Sequence, residues 1–152
     1  MVTQFSQREA LVGIILGNII HGTAGDNIMR ILIFAAHPDD DILGCGGMIA
    51  KRVKEGAKVR VEFIAEGTSC RFKDPNDTIV ERKLSERNLS GIEALKSLGV
   101  GNYTFNDLPC GRLDQVAKIE INKIMEAAIF EFEPDIVFTH SDKDTNIDHR
   151  FV

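Results

Sequence analysis

Cysteine is scarce in this chain, as are proline, surplus basic charge and long apolar runs, and each shortage removes a class of protein. The three cysteines, Cys45, Cys70 and Cys110, are odd in number and show no CxxC spacing. That excludes a zinc finger and a secreted disulfide scaffold and suits a reducing, cytoplasmic compartment. Lys and Arg number 18 against 23 Asp and Glu, a formal charge of −5, so no general attraction to nucleic acid or an anionic membrane is expected. The longest apolar stretch, Leu11–Ile20, is interrupted by Asn18 and reaches only about half of the ~20 residues a bilayer span needs. It also lacks the basic segment that opens a signal peptide. With 4 Pro and 13 Gly in 152 residues, 43% of them hydrophobic, the composition excludes collagen, coiled coil and disorder. What remains is one compact domain, able to fold on its own apolar core without disulfides or a structural metal.

Met29-Arg30 precedes the first strand-like run and reads as the natural start of the domain, with residues 1–28 as an extension. Ile31–Ala36 is a continuous apolar run, the pattern of a buried parallel strand. A polar break at His37–Asp41 leads into an amphipathic segment from Ile42 to about Glu55, which Gly56 ends. Lys58–Ala65 alternates as a strand, and Glu66–Thr78 reads as a long polar loop of the kind that carries function. A helix from Thr78 to Leu98, a short strand at Tyr103–Phe105, a helix from Gln115 to about Phe132 and a strand at Asp135–Thr139 complete the pattern. This βαβαβαβ order predicts an α/β fold of the Rossmann-like, three-layer α/β/α type with a mostly parallel sheet. Ligands of such sheets bind at the carboxyl ends of the strands. The two most polar clusters, His37–Asp41 and His140–His149, follow the first and fourth strands.

His37-Pro38-Asp39-Asp40-Asp41 places an imidazole and three carboxylates within five residues. Like charges crowded in this way call for a cation. Imidazole and carboxylate together suit Zn²⁺, which in catalytic sites takes three protein ligands and leaves a position for water. His149, surrounded by Asp142, Asp144 and Asp148, can supply a ligand from the second loop, and a neighbouring carboxylate can take the proton of an activated water. The competing explanation is that Asp40 or Asp41 caps the helix beginning at Ile42 while the other acids are simply solvated. Gly44-Cys45-Gly46-Gly47 does not have the GxGxxG spacing of a nucleotide site, and its glycines are expected to let backbone pack closely around the metal loop.

Ala36-His37-Pro38-Asp39-Asp40 after an apolar strand, together with Asp148-His149-Arg150 after Ile136–Thr139, resembles the LmbE-like, or PIG-L, de-N-acetylase superfamily. That family consists of zinc-dependent enzymes that remove acetyl groups from N-acetylglucosamine derivatives. The resemblance runs from Arg30 to the end of the chain. It implies His37, Asp40 and His149 as Zn²⁺ ligands, Asp39 as the general base toward a metal-activated water, and Asp148 as an orienting neighbour of the last ligand. It also implies Arg87 and Asp41 on the substrate side, although Ser90 stands where the family often has a glutamate. Leu108-Pro109 with Arg112 and Asp114 resembles a loop of some members. The implied partner is a small N-acetylated sugar, with no nucleic acid and no membrane span.

Two departures stand out. Many members carry a histidine three residues before the last ligand, where this chain has Asn146. Asparagine can donate a hydrogen bond but cannot transfer a proton, so the acid role would fall to Asp39 after it has collected one, or to a missing group. Family members also continue with further strands and helices beyond this motif. The chain therefore reads as a domain truncated on its C-terminal side, with a sheet edge open to homo-oligomer formation. Two other functions fit parts of the pattern: a metal-binding relic without turnover, and a Mg²⁺-binding receiver domain with Asp107 and Lys143 as phospho-acceptor and lysine. The receiver reading gives His37 and His149 no role.

Overall fold

The computed structural model describes residues 28–75 and 77–152, so all but the last residue of the expected extension at 1–28 lies outside the described residues. The elements in order are β1 (Arg30–Ala35), α1 (Asp40–Lys54), β2 (Lys58–Ala65), α2 (Thr78–Ser97), β3 (Asn102–Leu108), α3 (Lys118–Phe132) and β4 (Ile136–Phe138). Single 3₁₀ turns lie at Ser69–Arg71, Leu113–Gln115 and Asp148–Phe151. The four strands form one sheet in the order β3-β2-β1-β4, and every pairing is parallel.

β1 is apolar on both faces because helices cover both, whereas β2 is apolar on one face and on the other carries the buried ion pair Arg60–Glu62 beside Ile64. Ile31, Ile33, Val61 and Phe63 meet Ile49 of α1 and Leu95 of α2 on one side. Leu32, Phe34 and Ile64 meet Ile121, Ala128 and Phe132 of α3 on the other. Each such fully buried side chain contributes roughly 1.5–3 kcal/mol, which makes the two central strands the rigid base of the molecule. Arg30 ties the start of β1 to its neighbours. Its backbone N–H donates to Asp135 Oδ2 (2.8 Å), its Nε donates to the carbonyl of Phe132 (2.6 Å), and its guanidinium lies over the Phe132 ring. The chain thus winds outward from β1 through β2 to β3, then returns to place β4 on the other side of β1. The carboxyl ends of β1 and β4 flank the point where the winding reverses, the place where such sheets bind ligands. This order also excludes the receiver alternative, whose sheet puts its third strand beside β1. Here β3 is an edge strand, and it carries Asp107 away from the end of β1.

β3 extends to Leu108, three residues beyond the strand expected at Tyr103–Phe105. Its polar Asn106 is retained because the side-chain amide donates to Glu62 Oε1 and to the carbonyl of Phe63, both at 2.9 Å. α1 starts at Asp40, two residues before Ile42, so Asp40 and Asp41 form its first turn and do not cap it; Asp39, at the cap position, makes no capping bond. The glycines of α1 do not act as expected either. A Cβ added at Gly44 or Gly47 would meet nothing within 4 Å, because that face of the helix is open. They are not close-packing residues around the metal loop.

Asp41 is the costly residue of α1. It is only 2% exposed, and its Oδ2 has no hydrogen-bond partner. Burial, with the nearby charges of Asp40 and Asp39 adding to it, pushes its pKa up to about 6. A carboxyl whose pKa is raised in the folded state favours folding only while protonated, so stability falls as pH rises from about 4 through 6. Asp41→Asn in the metal-free chain should therefore be more stable at pH 7 by roughly 2 kcal/mol and show no such loss between pH 4 and 6. Urea unfolding at several pH values measures both.

Candidate metal centre

β1 delivers His37 to the switch point, and β4 with its following loop delivers His140, Asp144, Asp148 and His149. Asp40, in the first turn of α1, sits between them. Its Oδ2 lies 3.4 Å from His37 Nδ1 and 3.3 Å from His149 Nε2, and it accepts the backbone N–H of His37 at 2.8 Å. Three ligand atoms each about 2.0–2.1 Å from one tetrahedral ion are separated by roughly 3.3–3.4 Å. The spacing of Asp40 from both imidazoles matches that figure, and His37, Asp40 and His149 form one of the His/Asp groups compact enough to hold an ion.

Each imidazole is held from behind by a carboxylate. His37 Nε2 donates to Asp148 Oδ2 at 2.8 Å, and His149 Nδ1 donates to Asp144 Oδ2 at 3.1 Å. A carboxylate can only accept, so in the neutral imidazoles the protons are assigned to those nitrogens, leaving His37 Nδ1 and His149 Nε2 with their lone pairs toward Asp40. Carboxylate-backed histidines of this kind are the usual support of a metal ligand. Asp148 is fully buried and also accepts the backbone N–H groups of Gly111 (2.5 Å) and Leu113 (3.0 Å). It therefore orients His37, across the fold. Asn146 is exposed, and its side-chain oxygen accepts the backbone N–H of Asp148 at 2.9 Å. It shapes the turn that delivers Asp148.

The charges agree with this geometry. Burial favours the neutral form of His37, but hydrogen bonds with Asp40, Cys110 and Asp148 outweigh it and raise the pKa to about 10. A cation binding at Nδ1 replaces that proton. Burial would raise Asp40, yet the side-chain and backbone hydrogen bonds of His37 hold its carboxyl below the ordinary range. His140 stacks on His149, with ring centroids 4.0 Å apart. Its Nε2 accepts the N–H of Ala36 at 2.9 Å, and burial keeps its pKa low, so it serves the centre as a neutral wall.

Asp39 and Arg87 come together beside the centre. Asp39 is 47% exposed, and its Oδ1 accepts from Arg87 Nη2 at 2.8 Å. Both line a cleft of about 550 Å³ with Pro38, Thr68, Arg71 and Ser90. Gly67, with φ +73°, makes room for this arrangement: a Cβ there would lie 2.8 Å from Arg87 Nε and 3.0 Å from Pro38 Cδ. Asp41 does not reach the cleft, being buried under the first turn of α1. Glu66 is a residue the sequence reading passed over. At the end of β2 its buried carboxylate accepts the N–H groups of Thr68, Ser69 and Cys110 and the Ser69 hydroxyl, which fixes one cleft wall to the loop that holds Asp148. Those donors outweigh burial and lower its pKa. An acid followed by Gly-Thr-Ser at a strand end was the available signal.

Among solved structures, the chain resembles N,N'-diacetylchitobiose deacetylase from Pyrococcus horikoshii with a TM-score of 0.69 and 22% identity, covering 80% of this chain and 45% of that one. It resembles the 4-carboxy-2-hydroxymuconate hydratase GalB from Pseudomonas putida (TM-score 0.67, 24% identity, 80% and 51% covered). It also resembles the zinc-inhibited form of the teicoplanin deacetylase Orf2 (0.62, 20% identity, 81% and 60% covered). The chain thus spans about half the length of these solved proteins, and at such identities the likeness shows a shared fold. No curated protein matches the chain. The family described as GlcNAc-PI de-N-acetylase, PIG-L, matches residues 32–152, beginning within β1 and including both polar loops. On that match the chain belongs to the PIG-L family.

Proposed function

We propose that residues 29–152 form the working part of a zinc-dependent amide hydrolase that removes an N-acetyl group from an N-acetylglucosamine-type sugar derivative. The observation that carries this reading is the spacing of His37, Asp40 and His149 around one point at the sheet's switch, each imidazole backed by its own carboxylate. A two-histidine, one-carboxylate donor set suits zinc. Family membership and the deacetylases among the structural neighbours support the reaction class. Bound to these three side chains, zinc would supply Lewis acidity, polarising the acetamide carbonyl and lowering the pKa of water to about 7.

The chain's own residues supply the rest. Asp39 is the next residue before a ligand, is half exposed and faces the cleft, which suits it to accept a proton from the attacking water and pass it to the leaving amine. Arg87 holds one carboxylate oxygen of Asp39, leaving Oδ2 for the proton, and puts hydrogen-bond donors in the cleft for sugar hydroxyls. Asn146, its oxygen engaged by the Asp148 N–H, contributes no proton. His140 excludes water from one side of His149 by stacking on it. Acetate and the free amine leave from the cleft.

Two results are expected. Zinc titration of the full chain should give one tight site, weakened 10–100-fold or so by Asp148→Asn, which removes the charge behind His37 while keeping its shape. Equilibrium dialysis against a zinc-buffered solution measures this, and an unchanged affinity would remove Asp148 from the support of the ligand. With a panel of N-acetylglucosamine derivatives, Asp39→Asn should lower the rate of acetate release about 10²–10⁴-fold at unchanged zinc content. Equal rates in the two chains would remove Asp39 as the base; zinc bound without acetate from any substrate would favour the metal-binding relic.

A further inference from the structure

Cys70 and Cys110 are brought together by the architecture of the site and have no part in the proposed hydrolysis. Their Sγ atoms lie 2.9 Å apart, closer than even two carbon atoms in van der Waals contact at ~3.5–4.0 Å, and both are free thiols. Three features independent of the thiols hold them there. Glu66 accepts the N–H of Ser69, the neighbour of Cys70, and the N–H of Cys110 itself, pinning both segments to one carboxylate. Gly111 has φ +72°, and a Cβ there would lie 2.9 Å from Cys70 Cβ, so the residue after Cys110 must be glycine for Cys70 to pack against it. Arg112 then donates to Ser69 Oγ at 3.1 Å, joining the same two segments a third time. Cys70 is exposed and Cys110 buried, the pairing of an accessible thiol with a resolving one, whereas Cys45, on α1, packs half-buried against the core of Ile31, Ile49 and Leu95.

We infer that Cys70 and Cys110 are a reversible disulfide site, a cross-link between the Ser69–Arg71 turn and the loop bearing Gly111 and Leu113. With glutathione disulfide as oxidant, the Cys70 thiolate attacks one glutathione sulfur and releases the first glutathione. The Cys110 thiolate then displaces the second from Cys70. Two thiols and one glutathione disulfide become one protein disulfide and two glutathione thiols, so protons and electrons balance. The sulfurs need close by less than about 1 Å to reach the covalent distance. Both ends of the link touch the centre: Arg71 lines the cleft with Asp39 and Arg87, and Gly111 and Leu113 hold Asp148 behind His37. Cys110 also lies near His37 and Asp148 in a second possible cation group. An ion there would have to break the 2.8 Å bond between those two residues, whereas a disulfide leaves it intact.

The test uses the full chain, reduced and then equilibrated in buffers of rising glutathione disulfide to glutathione ratio, followed by alkylation under denaturing conditions and peptide mass mapping. The expected product has lost two hydrogens, joins the Cys70 and Cys110 peptides, carries the alkyl group on Cys45 alone, and returns to three alkylated cysteines after dithiothreitol. Cys110→Ser should instead stop at the Cys70–glutathione mixed disulfide. Oxidised chain in which Cys70 carries glutathione while Cys110 is alkylated would overturn the proposal, as would three alkylated cysteines at every ratio. A second equivalent of zinc that blocks alkylation of the pair in the native chain and is lost in Cys70→Ser would overturn the proposal and reassign the pair as a metal site. None of these readouts depends on deacetylase activity.

Discussion

The rest of the centre depends on one buried carboxylate. Asp148 has no solvent contact and lies 111 residues from the histidine it holds, yet it accepts from His37 Nε2 and from the N–H groups of Gly111 and Leu113. An ionised group at that depth is stable only with donors of this kind around it. The loops after β1, β3 and β4 are therefore locked together by its need for partners, and the His37 tautomer is fixed in the same act. Glu66 repeats the device one layer outward, joining the turn after β2 to the loop after β3. Four loops at the carboxyl edge of the sheet are thus fastened by two acids, with little apolar packing needed at the site itself.

The sheet makes that convergence possible. Because the winding reverses at β1, the ends of β1 and β4 lie side by side and their polar loops meet without any long excursion of chain. Electrostatic tension collects in the first turn of α1, where Asp41 is buried beside Asp40 and Asp39 with one carboxylate oxygen unbonded.

Much of this was legible in the sequence. The alternation of Lys58–Ala65, the apolar run from Ile31 and the break at Gly56 matched the elements nearly as observed, because each pattern is local. So was the coincidence of His37, Asp40 and His149 with strand ends. What was not legible is through-space: that the histidine Asp148 holds is His37, that Asp144 takes His149, that Arg87 pairs with Asp39, and that Cys70 meets Cys110. No periodicity encodes such contacts. β3 was read short because Asn106 and Asp107 are polar, and its continuation rests on the bonds of Asn106 to β2. The glycines of α1 were expected to allow close packing, but at Gly44 and Gly47 the helix face is open.

The proposed zinc site lies on the Asp40 side of His37, not on the Cys110 side. Zinc K-edge X-ray absorption of the full chain loaded with one equivalent separates the two directly. A first shell of nitrogen and oxygen alone at about 2.0–2.1 Å is expected, with the outer-shell scattering of two imidazoles; a sulfur at about 2.3 Å would place the ion with Cys110 and overturn the assignment.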